Sequence, residues 1–118
     1  MTRAVSWAVC GLADGLELAA IATATESGVT ARAVAAHRPA VPVVAITPDA
    51  AVARRLALVW GVHPEVVDVS SNMEDMAATA AEVVRAIGMA MPGDLIALTA
   101  GVALNRPGTT DMIRVLHV

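Results

Sequence analysis

Six consecutive residues, Thr25-Glu26-Ser27-Gly28-Val29-Thr30, offer three hydroxyls, a glycine and a run of backbone amides. An apolar, β-leaning run at 18–24 precedes them. A helical run from about Gly28 to His37 follows and stops at Arg38-Pro39, because proline disfavours helix in the residue before it. Strand, short turn and helix together make an anion-binding arrangement. The first amides of a helix have no intrahelical acceptor, and the helix dipole adds partial positive charge there. Ser27 and Thr30 add hydroxyl donors, and Gly28 would let a ligand approach the backbone. The same turn could instead do no more than cap its helix through Ser27 or Thr30. From spacing alone the capping reading is the commoner one.

Other residue types narrow the chemistry. The chain has eight arginines and no lysine, which excludes Schiff-base chemistry and a P-loop lysine. Ser27 with His37 and a carboxylate would suggest a hydrolase, but no Gly-x-Ser-x-Gly elbow is present. His63 and Asp68 lack metal-ligand spacing, and Cys10, the single cysteine, builds neither a zinc site nor an internal disulfide. Cys10 lies on an apolar helix face and reads as a buried thiol. His117 reads as a surface residue of the last strand. Glu74-Asp75 complement a helix dipole better than they suggest acid–base chemistry. There is no Phe or Tyr, only Trp7 and Trp60, and no basic stripe, so nucleic acid is not an expected partner.

These residues need elements to position them. A chain of 118 residues fits one domain, 1–118, with a proper core. Apolar residues make up 57%, yet no uninterrupted apolar run is long enough to span a bilayer, and no signal peptide is evident. The expected location is the cytoplasm. Thr2 is the expected N-cap of a first helix carrying Ala4, Val5, Ala8, Val9 and Leu12, with Gly15 as its stop. The second strand is expected at 43–46. Thr47-Pro48-Asp49 then starts a helix carrying Val52, Leu56 and Val59, and Gly61 stops it. A third strand is expected at 65–69. Ser70 or Ser71 would cap the next helix, with Glu74 completing a capping box. That helix carries Met76, Ala80, Val83, Val84 and Ile87 to Gly88. Pro92-Gly93-Asp94 is a turn, 95–99 a fourth strand, 101–110 a loop and 112–118 a closing strand.

Alternating strands and helices imply a doubly wound α/β fold: three layers around a mostly parallel five-stranded sheet. The last strand follows its predecessor without a helix, so it is expected to be antiparallel. In the order 3-2-1-4-5, strands one and four flank the topological switch point, where ligands of open α/β sheets bind. The 25–30 turn and the 101–110 loop would then face each other. That convergence supports the anion-site reading beyond what the turn alone does.

Several blocks carry a resemblance. Thr25-Glu26-Ser27-Gly28-Val29-Thr30-Ala31-Arg32, His37-Arg38-Pro39 and Pro42-Val43-Val44-Ala45-Ile46-Thr47-Pro48 resemble the C-terminal domain of pyruvate kinase. So do Arg54-Arg55-Leu56-Ala57-Leu58-Val59-Trp60-Gly61-Val62-His63-Pro64 and Gly93-Asp94-Leu95-Ile96-Ala97-Leu98-Thr99-Ala100-Gly101. The ending Pro107-Gly108-Thr109-Thr110-Asp111-Met112-Ile113-Arg114-Val115 fits too. The blocks come in the family's order and cover nearly the whole chain.

The resemblance implies a regulatory, effector-binding domain that is not catalytic alone. In that family a separate (β/α)₈ barrel makes ATP and pyruvate from phosphoenolpyruvate and ADP, and supplies the catalytic lysine and the metal ligands. No cofactor or metal is therefore expected in this domain. The implied partner is a phosphorylated effector, a sugar phosphate or a nucleotide. The implied phosphate contacts are Thr25, Ser27, Gly28 and Thr30, with Glu26 and Val29 in the same turn. Gly108 and Thr109 would close over the effector, and Arg106 could add a planar fork from that loop or stay solvated. The chain departs from the family pattern at Val29, where many members carry a basic or polar residue, and Glu26 sets a negative charge beside the site. Assembly as a homodimer, or with a pyruvate kinase barrel, is also implied. The alternative is a structural module of the same fold, its effector site silenced by Glu26.

Overall fold

In the computed structural model, residues 1–68, 72–101 and 110–118 are described. The elements run α1 (Thr2–Gly15), β1 (Ala20–Ala24), α2 (Val29–Ala36), β2 (Val43–Thr47), α3 (Ala50–Leu56), β3 (Val62–Val66), α4 (Met73–Ala86), β4 (Leu95–Ala100) and β5 (Met112–His117). One sheet holds all five strands in the order β3-β2-β1-β4-β5. The β1–β2, β1–β4 and β2–β3 pairs are parallel, and β4–β5 is antiparallel. This is the expected doubly wound topology.

Central strands buried on both faces must be apolar throughout, and β2 is buried at every position. Residues on one face, Ala20, Ala22, Val44, Ile46, Ile96 and Leu98, pack against Met76, Ala80 and Val84 of α4. On the other face Ile21, Val43 and Ala97 meet Val9 and Ala13 of α1 and Val34 of α2. Ala45 packs with Ala31 of α2 and with Val52 and Leu56 of α3. Three helices therefore cover one face and α4 covers the other.

The structure moves several boundaries. β3 begins at Val62, three residues before the expected start at Glu65. Gly61 adopts φ +79° and its carbonyl accepts from the Val43 amide at 3.0 Å, so pairing with β2 begins immediately. The strand takes in Pro64, which is tolerated because β3 is an edge strand. α3 ends at Leu56 rather than at Gly61. The Leu58 and Val59 amides bond three residues back, to Arg55 and Leu56, tightening the chain into turns that reach β3. α1 includes Thr2, with Met1 at its N-cap and no side-chain cap. The cap of α4 is Asn72, whose carbonyl oxygen accepts from the amides of Glu74 at 2.8 Å and Asp75 at 3.3 Å. Ser70 and Ser71, the expected caps, lie outside the described residues. The Thr47-Pro48-Asp49 start behaves as expected: Asp49 Oδ1 accepts from Ala51 at 2.8 Å and Val52 at 3.3 Å.

Candidate functional site

β1 delivers the 25–30 turn at its carboxyl end, and β4 delivers the chain toward Gly101 at the neighbouring end. Thr25 is buried; its amide bonds to Ile46 of β2, and its Oγ1 accepts from the Gly28 amide at 2.8 Å. That bond closes the turn. Gly28 is the N-cap of α2, in the left-handed region at φ 87°, and no side chain caps the helix. The expected caps, Ser27 and Thr30, do not perform this role. Ser27 Oγ approaches only the Val29 amide, at 3.5 Å, and Ser27 is exposed.

The fold itself needs Gly28 for two reasons. Its φ strains any residue bearing a Cβ. A Cβ there would also lie 3.2 Å from Leu56 Cδ2 and 3.4 Å from Val52 Cγ1, so the turn is seated on α3.

Thr30, one residue into α2, is buried, and its Oγ1 lies 2.6 Å from Thr110 Oγ1. This contact brings the segment that enters β5 onto the first turn of α2. Thr110 was not singled out as a site residue in the sequence. Its signal is the Thr-Thr-Asp ahead of the closing strand, which local pattern cannot tell from ordinary loop composition. Arg106, Gly108 and Thr109 lie outside the described residues.

The rest of the turn divides by exposure. Val29 is exposed and Glu26 half-buried. Among the described residues the Glu26 carboxylate makes no hydrogen bond and no ion pair, and so does not occupy the amides of α2. Helix geometry leaves the amides of Val29, Thr30 and Ala31 without intrahelical acceptors. Of the three hydroxyls, those of Thr25 and Thr30 serve the fold and that of Ser27 faces solvent.

The remaining chemistry-bearing residues are accounted for elsewhere. His63 Nε2 pairs with Glu65 Oε1 at 3.1 Å on the β3 edge. His117 is exposed, with Nδ1 3.3 Å from the Gly93 carbonyl. Cys10 is half-buried and its Sγ donates to the Val34 carbonyl at 3.8 Å. Burial, and then the charge of Asp14, push its thiol above the ordinary thiol value. Glu74 also serves beyond the dipole of α4, accepting both Arg114 nitrogens at 2.9 and 3.3 Å. No group of three or more His, Cys, Asp or Glu able to hold a metal occurs among the described residues. No helix there is long and apolar enough to cross a membrane.

Comparison with known proteins places this arrangement. The family model "Pyruvate kinase, alpha/beta domain" matches residues 3–116. The pyruvate kinase of Clostridium acetobutylicum is 42% identical over 111 residues, covering 94% of this chain and 24% of its own length. That of Geobacillus stearothermophilus is 39% identical over 118 residues, covering 100% of this chain and 20% of its own. A crystal structure of a pyruvate kinase from Cryptosporidium parvum superposes with a TM-score of 0.87 at 24% identity, over 98% of this chain and 22% of that one. The chain thus spans between a fifth and a quarter of the curated relatives named here. With the model matched almost end to end and the sheet order in agreement, the chain belongs to the pyruvate kinase α/β-domain family and corresponds to the C-terminal domain of that enzyme.

Proposed function

We propose that this domain binds a phosphorylated metabolite, a sugar phosphate or a nucleotide, at the first turn of α2, and so serves as the regulatory part of a pyruvate kinase. The observation that supports this most is the buried Thr30–Thr110 hydroxyl contact at 2.6 Å. It joins the turn after β1 to the segment before β5 at the switch point of the sheet, where open α/β folds take their ligands. The phosphate would rest on the amides of Val29, Thr30 and Ala31, with the exposed Ser27 hydroxyl as an added donor. Among the described residues the Glu26 carboxylate bonds to none of these amides, which favours this reading over a silenced structural module, in which it would occupy them.

Calorimetric titration with a sugar bisphosphate and with AMP tests it. A charge-assisted bond contributes roughly 1.5–3 kcal/mol, so Ser27→Ala should weaken binding about tenfold or more. The domain should keep its stability, since Ser27 is exposed. Glu26→Lys should tighten binding, and added salt should diminish that gain. If neither ligand binds and Glu26→Lys changes nothing, the structural-module reading takes its place.

A further inference from the structure

Three buried hydroxyls have no role in the site described above: Ser6 on α1, Thr23 on β1 and Thr99 on β4. Each residue is 0% exposed, and none of the three oxygens has a hydrogen-bond partner among the described residues. Thr23 and Thr99 are register partners on adjacent central strands, so their side chains leave the same face of the sheet side by side. That face lies under α1. Ile21 and Ala97, two residues back along each strand, pack with Val9 and Ala13. α1 ends at Gly15 and β1 starts at Ala20, so the helix runs back over the strand. Stepping from Ala13 to Val9 to Ser6 follows one helix face toward the carboxyl ends of the strands. Ser6 therefore lies on the sheet-facing side of α1, displaced from Val9 in the direction in which Thr23 and Thr99 are displaced from Ile21 and Ala97.

An unpaired hydroxyl in a core is costly, and native interiors satisfy nearly all such groups. Three between one helix and one sheet face share a simple solution. We propose that the hydroxyls of Ser6, Thr23 and Thr99 together bind one buried water molecule between α1 and the sheet. About three hydrogen bonds is what a buried water ordinarily makes. The water donates to two of the oxygens and accepts from the third, and each hydroxyl rotates to suit. Ala45, the register partner of Thr23 on its other side, carries no polar side chain, so it offers Thr23 no alternative partner. The water would tie α1 to the two strands whose ends carry the candidate site. Its presence does not depend on what that site binds.

The test joins a crystal structure of the domain, at a resolution that shows ordered solvent, to thermal unfolding of Thr23→Val and Thr99→Val. Valine keeps the shape of threonine and removes the hydroxyl. With the water in place, each substitution breaks a bond and leaves the water short of a partner, so Tm should fall by roughly 4 °C. The double variant should fall by less than the sum, because both side chains hold one molecule. In a dry core valine would remove an unsatisfied polar atom, and Tm would hold or rise. Density for one water within hydrogen-bonding distance of all three oxygens, with lowered Tm, carries the proposal. Dry density, or an unchanged or raised Tm, overturns it.

Discussion

Ser27 and Thr30 have similar chemistry and lie three residues apart, one on each side of the Gly28 N-cap, yet the fold gives them different tasks. Thr30 is buried against Thr110, whereas Ser27 faces solvent. The expected calorimetric effects at Ser27 and Glu26 follow from that division, since neither residue carries core packing. Cys10 is the other residue whose chemistry the fold sets. Burial, and then the charge of Asp14, raise its thiol above the ordinary value. The folded protein thus holds that proton more tightly than the unfolded chain does. The resulting stabilisation is fully present below the unfolded thiol's pKa and is lost as pH rises through the raised one. Alkylation of the native protein near pH 8 should be several-fold slower than in urea, because the thiolate is the nucleophile. The difference should shrink at higher pH. Equal rates in the native and unfolded states near pH 8 would contradict this account.

At the scale of elements, glycines separate two kinds of helix position. Gly28 ends the β1 turn at φ 87° and leaves 3.2 Å between a would-be Cβ and Leu56. Gly28→Ala should cost roughly 1–3 kcal/mol from backbone strain and overpacking, seen as a lower urea midpoint. Gly11 lies inside α1 with nothing within 4 Å of a would-be Cβ. Gly11→Ala should raise the midpoint, by about 0.5–1 kcal/mol, through helix propensity alone. Opposite signs from the same substitution check that the two glycines serve different ends, one a left-handed turn seated on α3 and the other an open helix position. The helix periods and most turn residues were legible in the chain. The early end of α3 was not. Val52, Leu56 and Val59 keep helical spacing, but Val59 packs against the Ala31–Leu56 cluster from a turn.

At the scale of the whole molecule, β5 is an edge strand that, among the described residues, pairs with β4 alone. Val115 is 38% exposed there, and Arg114 is engaged with Glu74. An apolar edge recruits another strand. We expect a twofold dimer through β5, seen by sedimentation at high micromolar concentration, with Val115→Lys shifting it to monomer. A monomeric parent at that concentration would count against the interface. We also expect the purified chain to show no phosphoryl transfer from phosphoenolpyruvate to ADP. The sequence holds no lysine, and the chain spans only 24% and 20% of the two pyruvate kinases compared above, leaving out the part to which the resemblance assigns the barrel and its metal ligands. Turnover free of contaminating kinase would sink the regulatory reading.

Periodicity along the chain determined the order of elements. Right-handed crossover geometry then narrowed the topologies, and the sheet adopts the order that sets β1 beside β4. Given that order, the turn at 25–30 falls at the switch point. The sequence blocks also carried the family, because they fall in a fixed order over nearly the whole chain. Only the tertiary structure decided which hydroxyls the fold consumes. Thr30 meets Thr110 across 80 positions, and no local pattern encodes a contact that distant. Gly28 leans on Leu56 of a different helix, so its packing role is invisible in a turn motif. Pairing with β2, rather than the proline within it, set where β3 begins, since an edge strand gains its register from its neighbour's hydrogen bonds.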